Sequence, residues 1–158
     1  MILFFLIGVF VAQCLYYFPN LPSVMASHFD GTGEPNGWMP KQSYFAFMTV
    51  ILGLIVLEFT LLPYLIGKMP RRLINMPNKD YWFAEQRRPE TVEIIRHYFE
   101  WFSAALLALF IGINQLVFLA NINRENLSSQ IWLILIAFFV FVIVWLIKFY
   151  RRFRIENI

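Results

Sequence analysis

The chain has 158 residues, of which 59% are hydrophobic and only 15% are charged, and its formal net charge is +3. Soluble domains have roughly 45–50% apolar and about 25% charged residues, so this composition argues against a soluble enzyme and indicates an integral membrane protein. The basic residues flank apolar stretches, as membrane topology requires, and therefore do not indicate nucleic-acid binding.

Four stretches are apolar over about the 20 residues that a bilayer-spanning helix needs. We predict spans over residues 1–18, 43–67, 89–121 and 131–149, the third of which begins with a cytoplasmic extension. They leave an outer loop 19–42, a basic loop 68–88, a second outer loop 122–130 and a basic tail 150–158. The fold class is an all-α bundle of four transmembrane helices, because lipid offers no partner for free backbone groups.

The distribution of lysine and arginine predicts the orientation. Seven of these residues lie between residues 68 and 96 and four lie between 148 and 154, which together make 11 of the 13. Basic residues concentrate on the cytoplasmic side, so both chain ends are predicted inside and the loop 19–42 outside. The first span has no charged start and no small-x-small site before Pro19, which favours a retained helix over a cleaved signal peptide.

Small residues recur on two of the spans. Span one has Gly8 and Ala12, and span three has Ala104, Ala108 and Gly112 at every fourth position. Such spacing lets helices approach closely, so we predict that these faces help form the bundle interior. The alternative is that small residues are simply common in membrane helices.

Polar side chains inside the spans are the next candidates. Gln13 on span one and Asn114 and Gln115 on span three are predicted to bond across helices, as intramembrane amides usually do. Glu58 lies within span two, where an ionisable group is by default a functional hypothesis, such as a proton carrier or a cation ligand. The alternative is a neutral Glu58 that bonds to another helix. Cys14 cannot form an internal disulfide and is predicted to be a small apolar filler.

The outer loop 19–42 has the densest set of unusual residues. Its four prolines and three glycines predict turns rather than helices, while Phe29 and Trp38 indicate an ordered loop. His28, Asp30 and Glu34 are candidate metal ligands, although zinc sites usually have three or four defined ligands. The alternative for His28 is a hydrogen bond that fixes the shape of the loop.

Span four is bulky nearly all round, which predicts a place at the edge of the bundle or against another protein. No nucleophile motif, zinc-protease motif or phosphate-binding glycine loop is present in the sequence. We therefore expect neither catalytic residues nor a cofactor.

The outer loop resembles the signature of a bacterial family, the domain of unknown function 1648. The resemblance is carried by Leu21-Pro22, by the motif residues His28, Phe29, Gly33, Pro35, Gly37 and Trp38, and by Lys41. Members of that family include immunity proteins against the sporulation-delay toxin, in which the loop follows a first transmembrane helix and a further membrane module comes after. The segment 74–82 is similar to one in short uncharacterised members, whereas the second half does not match the module of the immunity proteins. The resemblance implies a multi-pass protein of the bacterial cytoplasmic membrane and assigns no catalytic residue.

Three functions are compatible with these features. The first is a non-enzymatic protein that sits in the lipid bilayer and binds other membrane subunits or a second copy of itself. It would be an accessory or assembly subunit, or an immunity-like receptor for a toxin or signal. The second is a small transporter or ion- or proton-conducting protein that uses Glu58, Asn114 and Gln115. The third is a membrane enzyme acting on a lipid or quinone, with His28 or Glu58 as base.

Overall fold

The computed structural model describes residues 2–154 and contains four long helices. They are α1 (Ile2–Tyr17), α2 (Lys41–Lys68), α4 (Arg88–Asn123) and α5 (Gln130–Phe153). All four are long and apolar enough to cross a membrane, which confirms the predicted set of four apolar helices and indicates a membrane protein. Residue 1 of the first predicted span and residues 155–158 of the predicted tail lie outside the described residues.

Helix α4 is the centre of the bundle, because it contacts α1, α2 and α5. In the most apolar stretch of α4, 39% of the residues are buried, whereas the corresponding share is 11% in α1, 11% in α2 and zero in α5. Pro89 lies in the first turn of α4. A backbone N–H at this position has no partner within the helix, so a proline there removes no helical hydrogen bond. The exposed sides of α1, α2 and α5 are rich in large apolar residues, as contact with a lipid bilayer requires. Helix α5 lies at the edge of the bundle, as its bulky sequence predicts.

The structure corrects the predicted packing for some of the small residues. Gly8 and Ala12 lie on the exposed side of α1, and no atom would lie within 4 Å of a Cβ added at Gly8. Helix α1 instead packs through larger residues, such as Leu3 and Phe10, which recur at a helical spacing. On α4, Ala104 is buried and Ala108 is exposed. Gly112 agrees with the prediction, because α5 approaches it closely: a Cβ added at Gly112 would lie 3.2 Å from the side chain of Ile134.

The loop between α1 and α2 is also not what an all-α fold predicts. A single helical turn (Phe18–Asn20) leads into two antiparallel strands, β1 (Val24–Phe29) and β2 (Pro35–Pro40). The sequence does not predict this hairpin, because the segment is rich in prolines and glycines and both residue types are depleted in strands. We call the end of the bundle that holds it the hairpin end.

The opposite end, which we call the basic end, carries a small folded cap instead of an open loop. The cap spans residues 69–87 and contains a helical turn (Arg71–Leu73) and the short helix α3 (Lys79–Trp82). Its Ile74, Trp82 and Phe83 form a second apolar cluster with residues of α4 and α5. The indole Nε1 of Trp82 donates to the backbone oxygen of Phe153 at 2.9 Å, which ties the cap to the end of α5.

Candidate functional site

The hairpin of β1 and β2 has one face turned to the bundle and one face turned away. Met25 is fully buried in the main apolar cluster, and Phe29 and Met39 pack against that cluster. Val24, His28, Asn36 and Trp38 form the opposite face and are exposed; we call these four residues the hairpin face. The strand register pairs Ala26 with Trp38 and His28 with Gly37, with an irregularity between the two pairs. The hairpin therefore presents a defined set of side chains on an apolar base.

The turn of the hairpin is built around Asp30. One carboxylate oxygen of Asp30 accepts hydrogen bonds from the backbone N–H groups of Thr32 and Glu34 at 2.9 and 3.0 Å and from the Thr32 hydroxyl at 2.7 Å. These bonds to the charged form lower the pKa of Asp30 below its ordinary value, the Thr32 hydroxyl having the largest effect. The backbone of Gly33 has a φ of +90°, a conformation that glycine adopts without a Cβ clash.

The predicted metal ligands do not come together as a metal site. In the part of the chain that the structure describes, no group of three or more His, Cys, Asp or Glu side chains is placed to hold a metal ion. The ring Nδ1 of His28 is hydrogen-bonded to Oδ1 of Asn36 on the facing strand, and the carboxylate of Asp30 is used in the turn. This arrangement agrees with the alternative interpretation, in which His28 fixes the shape of the loop.

A single amide fastens the hairpin to α4. Oδ1 of Asn121 accepts from the backbone N–H of Ala26 at 2.7 Å, and Nδ2 of Asn121 donates to the backbone oxygen of Ala26 at 2.9 Å. The side chain thus pairs with the outer edge of β1 as a neighbouring strand would. Nothing in the sequence distinguishes Asn121 from other polar residues near the end of a helix, so the sequence does not predict it as a site residue.

Two further contacts hold the ends and the tip of the hairpin. Nζ of Lys41 donates to the backbone oxygens of Phe18 and Leu21 at 2.9 and 3.0 Å, which joins the start of α2 to the end of α1. At the tip, the backbone N–H of Leu127, in the loop between α4 and α5, donates to the oxygen of Gly33 at 2.8 Å. The hairpin is therefore held at its base, its edge and its tip.

Trp38 is the motif residue that these contacts leave unexplained. Its side chain is 60% exposed, and Val24 on the same face is 55% exposed. Trp38 lines a cleft of about 310 Å³ between the hairpin and the end of α4. Residues Arg124, Glu125 and Asn126 form the polar side of that cleft. An apolar centre with a polar rim is the usual organisation of a protein-binding surface.

The intramembrane amides bond across helices as predicted. Nε2 of Gln13 donates to Oε1 of Gln115 at 3.0 Å, and Nε2 of Gln115 donates to the hydroxyl of Tyr17 at 2.6 Å. The hydroxyl of Tyr44 on α2 donates to Oδ1 of Asn114, which is fully buried, at 2.7 Å. These bonds join α1 and α2 to the central helix α4.

Glu58 stands apart from this polar group. It is half-buried on α2, and within residues 2–154 its carboxyl group forms no hydrogen bond or ion pair. Asn114 bonds to Tyr44, which precedes Glu58 by 14 positions along α2, or roughly 21 Å at the rise of a helix. The structure therefore does not assemble Glu58, Asn114 and Gln115 into one polar path.

Comparison with known proteins finds a family that is similar to the first part of the chain. Residues 3–54 match the family model described as Domain of unknown function (DUF1648). No curated protein and no solved structure matches the chain. The matched segment covers α1, the hairpin and the first half of α2, whereas Asn121 and Leu127, which hold the hairpin, lie beyond it. The chain thus has four helices that indicate a membrane protein, and its residues 3–54 are similar to the DUF1648 family.

Proposed function

We propose that this chain is a non-enzymatic membrane protein that binds another protein through the hairpin face on the outer side of the bacterial cytoplasmic membrane. The observation that carries the proposal is Trp38, a large aromatic side chain that is 60% exposed on a strand whose opposite face is packed into the bundle. Tryptophan is among the residues most enriched where protein interfaces gain their binding energy.

The fixed position of the hairpin supports this proposal. A recognition surface that is already rigid loses little conformational entropy when a partner binds. Asn121, Lys41 and Leu127 hold the hairpin at three separate places, so Trp38 and Val24 are presented in one arrangement. The cleft beside Trp38 adds the charged groups of Arg124 and Glu125 as a polar border that selects among partners.

The orientation follows from the distribution of charge. The cap and the end of α5 have most of the basic residues, which favours the basic end as the cytoplasmic one. The hairpin end then faces outward, where an accessory subunit meets the outer parts of a complex and an immunity-like receptor meets a secreted toxin. Both roles use the same surface, and they differ in whether the partner is resident in the membrane or arrives from outside.

The test is a gentle purification from native membranes, followed by mass spectrometry of the proteins that accompany the chain. We expect a stoichiometric partner with the unmodified protein and with Trp132→Ala, which removes another exposed tryptophan, and its loss with Trp38→Ala. A chain that purifies alone, or a partner that Trp38→Ala retains in full, would overturn the proposal.

A further inference from the structure

A second cleft lies between α4 and α5 at the basic end, far from the hairpin. Its volume is about 760 Å³, which falls in the size range of sites that hold ligands. Helix α5 packs on α4, and the cleft between them is partly open rather than enclosed.

The polarity of this cleft changes along its length. Toward the middle of the helices it is lined by Trp101, Phe141 and Val144, and toward their ends by Lys148 and Arg152. Because these residues recur on one side of each helix, the apolar and the cationic parts form one continuous surface. A molecule that fits it has an apolar chain at one end and an anionic group at the other.

The cleft is preformed by contacts between its two walls. Nε1 of Trp145 donates to the backbone oxygen of Tyr98 at 2.9 Å, and the hydroxyl of Tyr98 donates to the backbone oxygen of Lys148 at 3.2 Å. The ring of Trp145 is stacked on that of Phe149 at a centroid distance of 5.2 Å. These bonds fix the crossing of α4 and α5 at the level where the lining changes from apolar to cationic.

The charge of the polar part favours an anion. Glu93 is the acidic residue of the lining, and its carboxylate is bonded to Arg96 at 3.0 and 2.5 Å. Within residues 2–154, neither Lys148 nor Arg152 forms an ion pair with a carboxylate. The guanidinium of Arg152 lies 5.3 Å from the ring centre of Trp82 in the cap, which holds it at the mouth of the cleft. Two cations thus stand where the apolar wall ends.

We propose that this cleft is a binding site for one anionic phospholipid. Its phosphate lies between Lys148 and Arg152, and one acyl chain runs along Trp101, Phe141 and Val144. The site is separate from the hairpin face and does not depend on the proposed protein partner. A lipid in the cleft contacts both α4 and the edge helix α5 and so adds to the contact between them. We therefore expect the lipid to stabilise α5 more than any other helix.

The experiment is native mass spectrometry of the purified full-length chain, titrated in detergent with phosphatidylglycerol or with zwitterionic phosphatidylcholine. We expect one tightly held phosphatidylglycerol, which the double variant Lys148→Gln/Arg152→Gln binds on the order of tenfold more weakly. The matched control is Arg151→Gln/Arg154→Gln, which removes the same charge from the same helix end outside the cleft. It keeps the affinity of the unmodified chain.

Two further measurements separate the site from simpler explanations. Val144→Trp narrows the apolar part without a change of charge and is expected to weaken phosphatidylglycerol binding, while inorganic phosphate alone does not displace the lipid. Thermal unfolding of each variant without added lipid shows that the fold is retained. Equal losses in both double variants, equal binding of phosphatidylcholine or full binding by Val144→Trp would each overturn the proposal.

Discussion

Gly33 is the residue on which the tip of the hairpin depends most closely. It has a φ of +90°, and a Cβ added there would lie 2.5 Å from the backbone oxygen of Leu127. Gly31, two positions earlier, has no atom within 4 Å of an added Cβ. The same substitution at these two positions therefore separates the local strain from the general effect of replacing a glycine.

We expect Gly33→Ala to lower the free energy of unfolding by about 1–3 kcal/mol, because alanine is strained at this φ and displaces Leu127. Gly31→Ala is expected to change it little. The measurement is thermal unfolding in detergent, followed by limited proteolysis within the loop 19–42. Equal stabilities of the two variants would show that the tip does not need its contact with Leu127.

Asp30 makes the stability of the turn depend on pH. Its hydrogen bonds favour the carboxylate, so its pKa is lower in the folded chain than in the unfolded chain. The stabilisation is thus present above the unfolded pKa of about 3.9 and is lost as the pH falls through the lower folded value. We expect proteolysis of the hairpin by an acid-active protease to increase over that window in the unmodified chain, with a smaller change in Asp30→Asn.

The residues of the site differ in how far the sequence predicts them. Gly33 and Gly37 belong to a motif that indicates turns. Trp38 indicates from the sequence that the outer loop is ordered. A Cβ at Gly37 would lie 2.9 Å from Cβ of His28. This close contact can be predicted only when the strand register is known. Asn121 is not predictable in this way, because its partner Ala26 is 95 positions away.

At the scale of elements, the attachment of the hairpin to α4 is the contact that most directly supports the proposed function. Asn121→Leu removes both bonds to Ala26 and leaves a backbone N–H and a backbone oxygen without partners. We expect it to destabilise the hairpin by about 1–3 kcal/mol, since a buried polar group without a bond carries a penalty of that size.

The control for this change is Asn123→Leu, an exposed position at the end of the same helix. Hydrogen exchange of the amides in β1 and β2 is the measurement, because it reports local opening of the hairpin. Unchanged protection of Ala26 in Asn121→Leu would mean that the core-facing residues alone hold the hairpin in place.

The packing of α5 on α4 offers a second test at this scale. A Cβ at Gly112 would lie 3.2 Å from the Ile134 side chain, whereas Gly53 of α2 faces open space. We expect Gly112→Leu to separate the two helices and to lower the midpoint of thermal unfolding, while Gly53→Leu does not. An unchanged midpoint in both variants would show that α5 adapts to the added volume.

The elements also show where prediction from sequence succeeds and fails. Apolar length and Pro89 identify α4, because both signals are local. The inward side of α1 is not predictable from Gly8 and Ala12, because the interior is set by larger residues that match α4. The cap 69–87 has many basic residues and is therefore predicted as an open loop. In the structure, its Ile74, Trp82 and Phe83 belong to a small apolar core at the basic end of the bundle.

At the scale of the whole molecule, the chain has a different structure at each end. A hairpin with an exposed tryptophan stands at one end, and a cap with a cationic cleft beside it stands at the other. Between the two ends, hydrogen bonds of side-chain amides join α1 and α2 to α4. This arrangement suits a protein that binds a partner on one side of a membrane and lipid near the other.

The most direct test of the central claim is photo-crosslinking from the hairpin face in native membranes. A photoreactive amino acid replaces Trp38 in one variant and Trp132, which is exposed at the hairpin end of α5, in the other. We predict a discrete protein adduct from position 38 that position 132 does not give. The same adducts from both positions, or adducts with lipid alone from position 38, would contradict the hairpin face as a protein-binding surface.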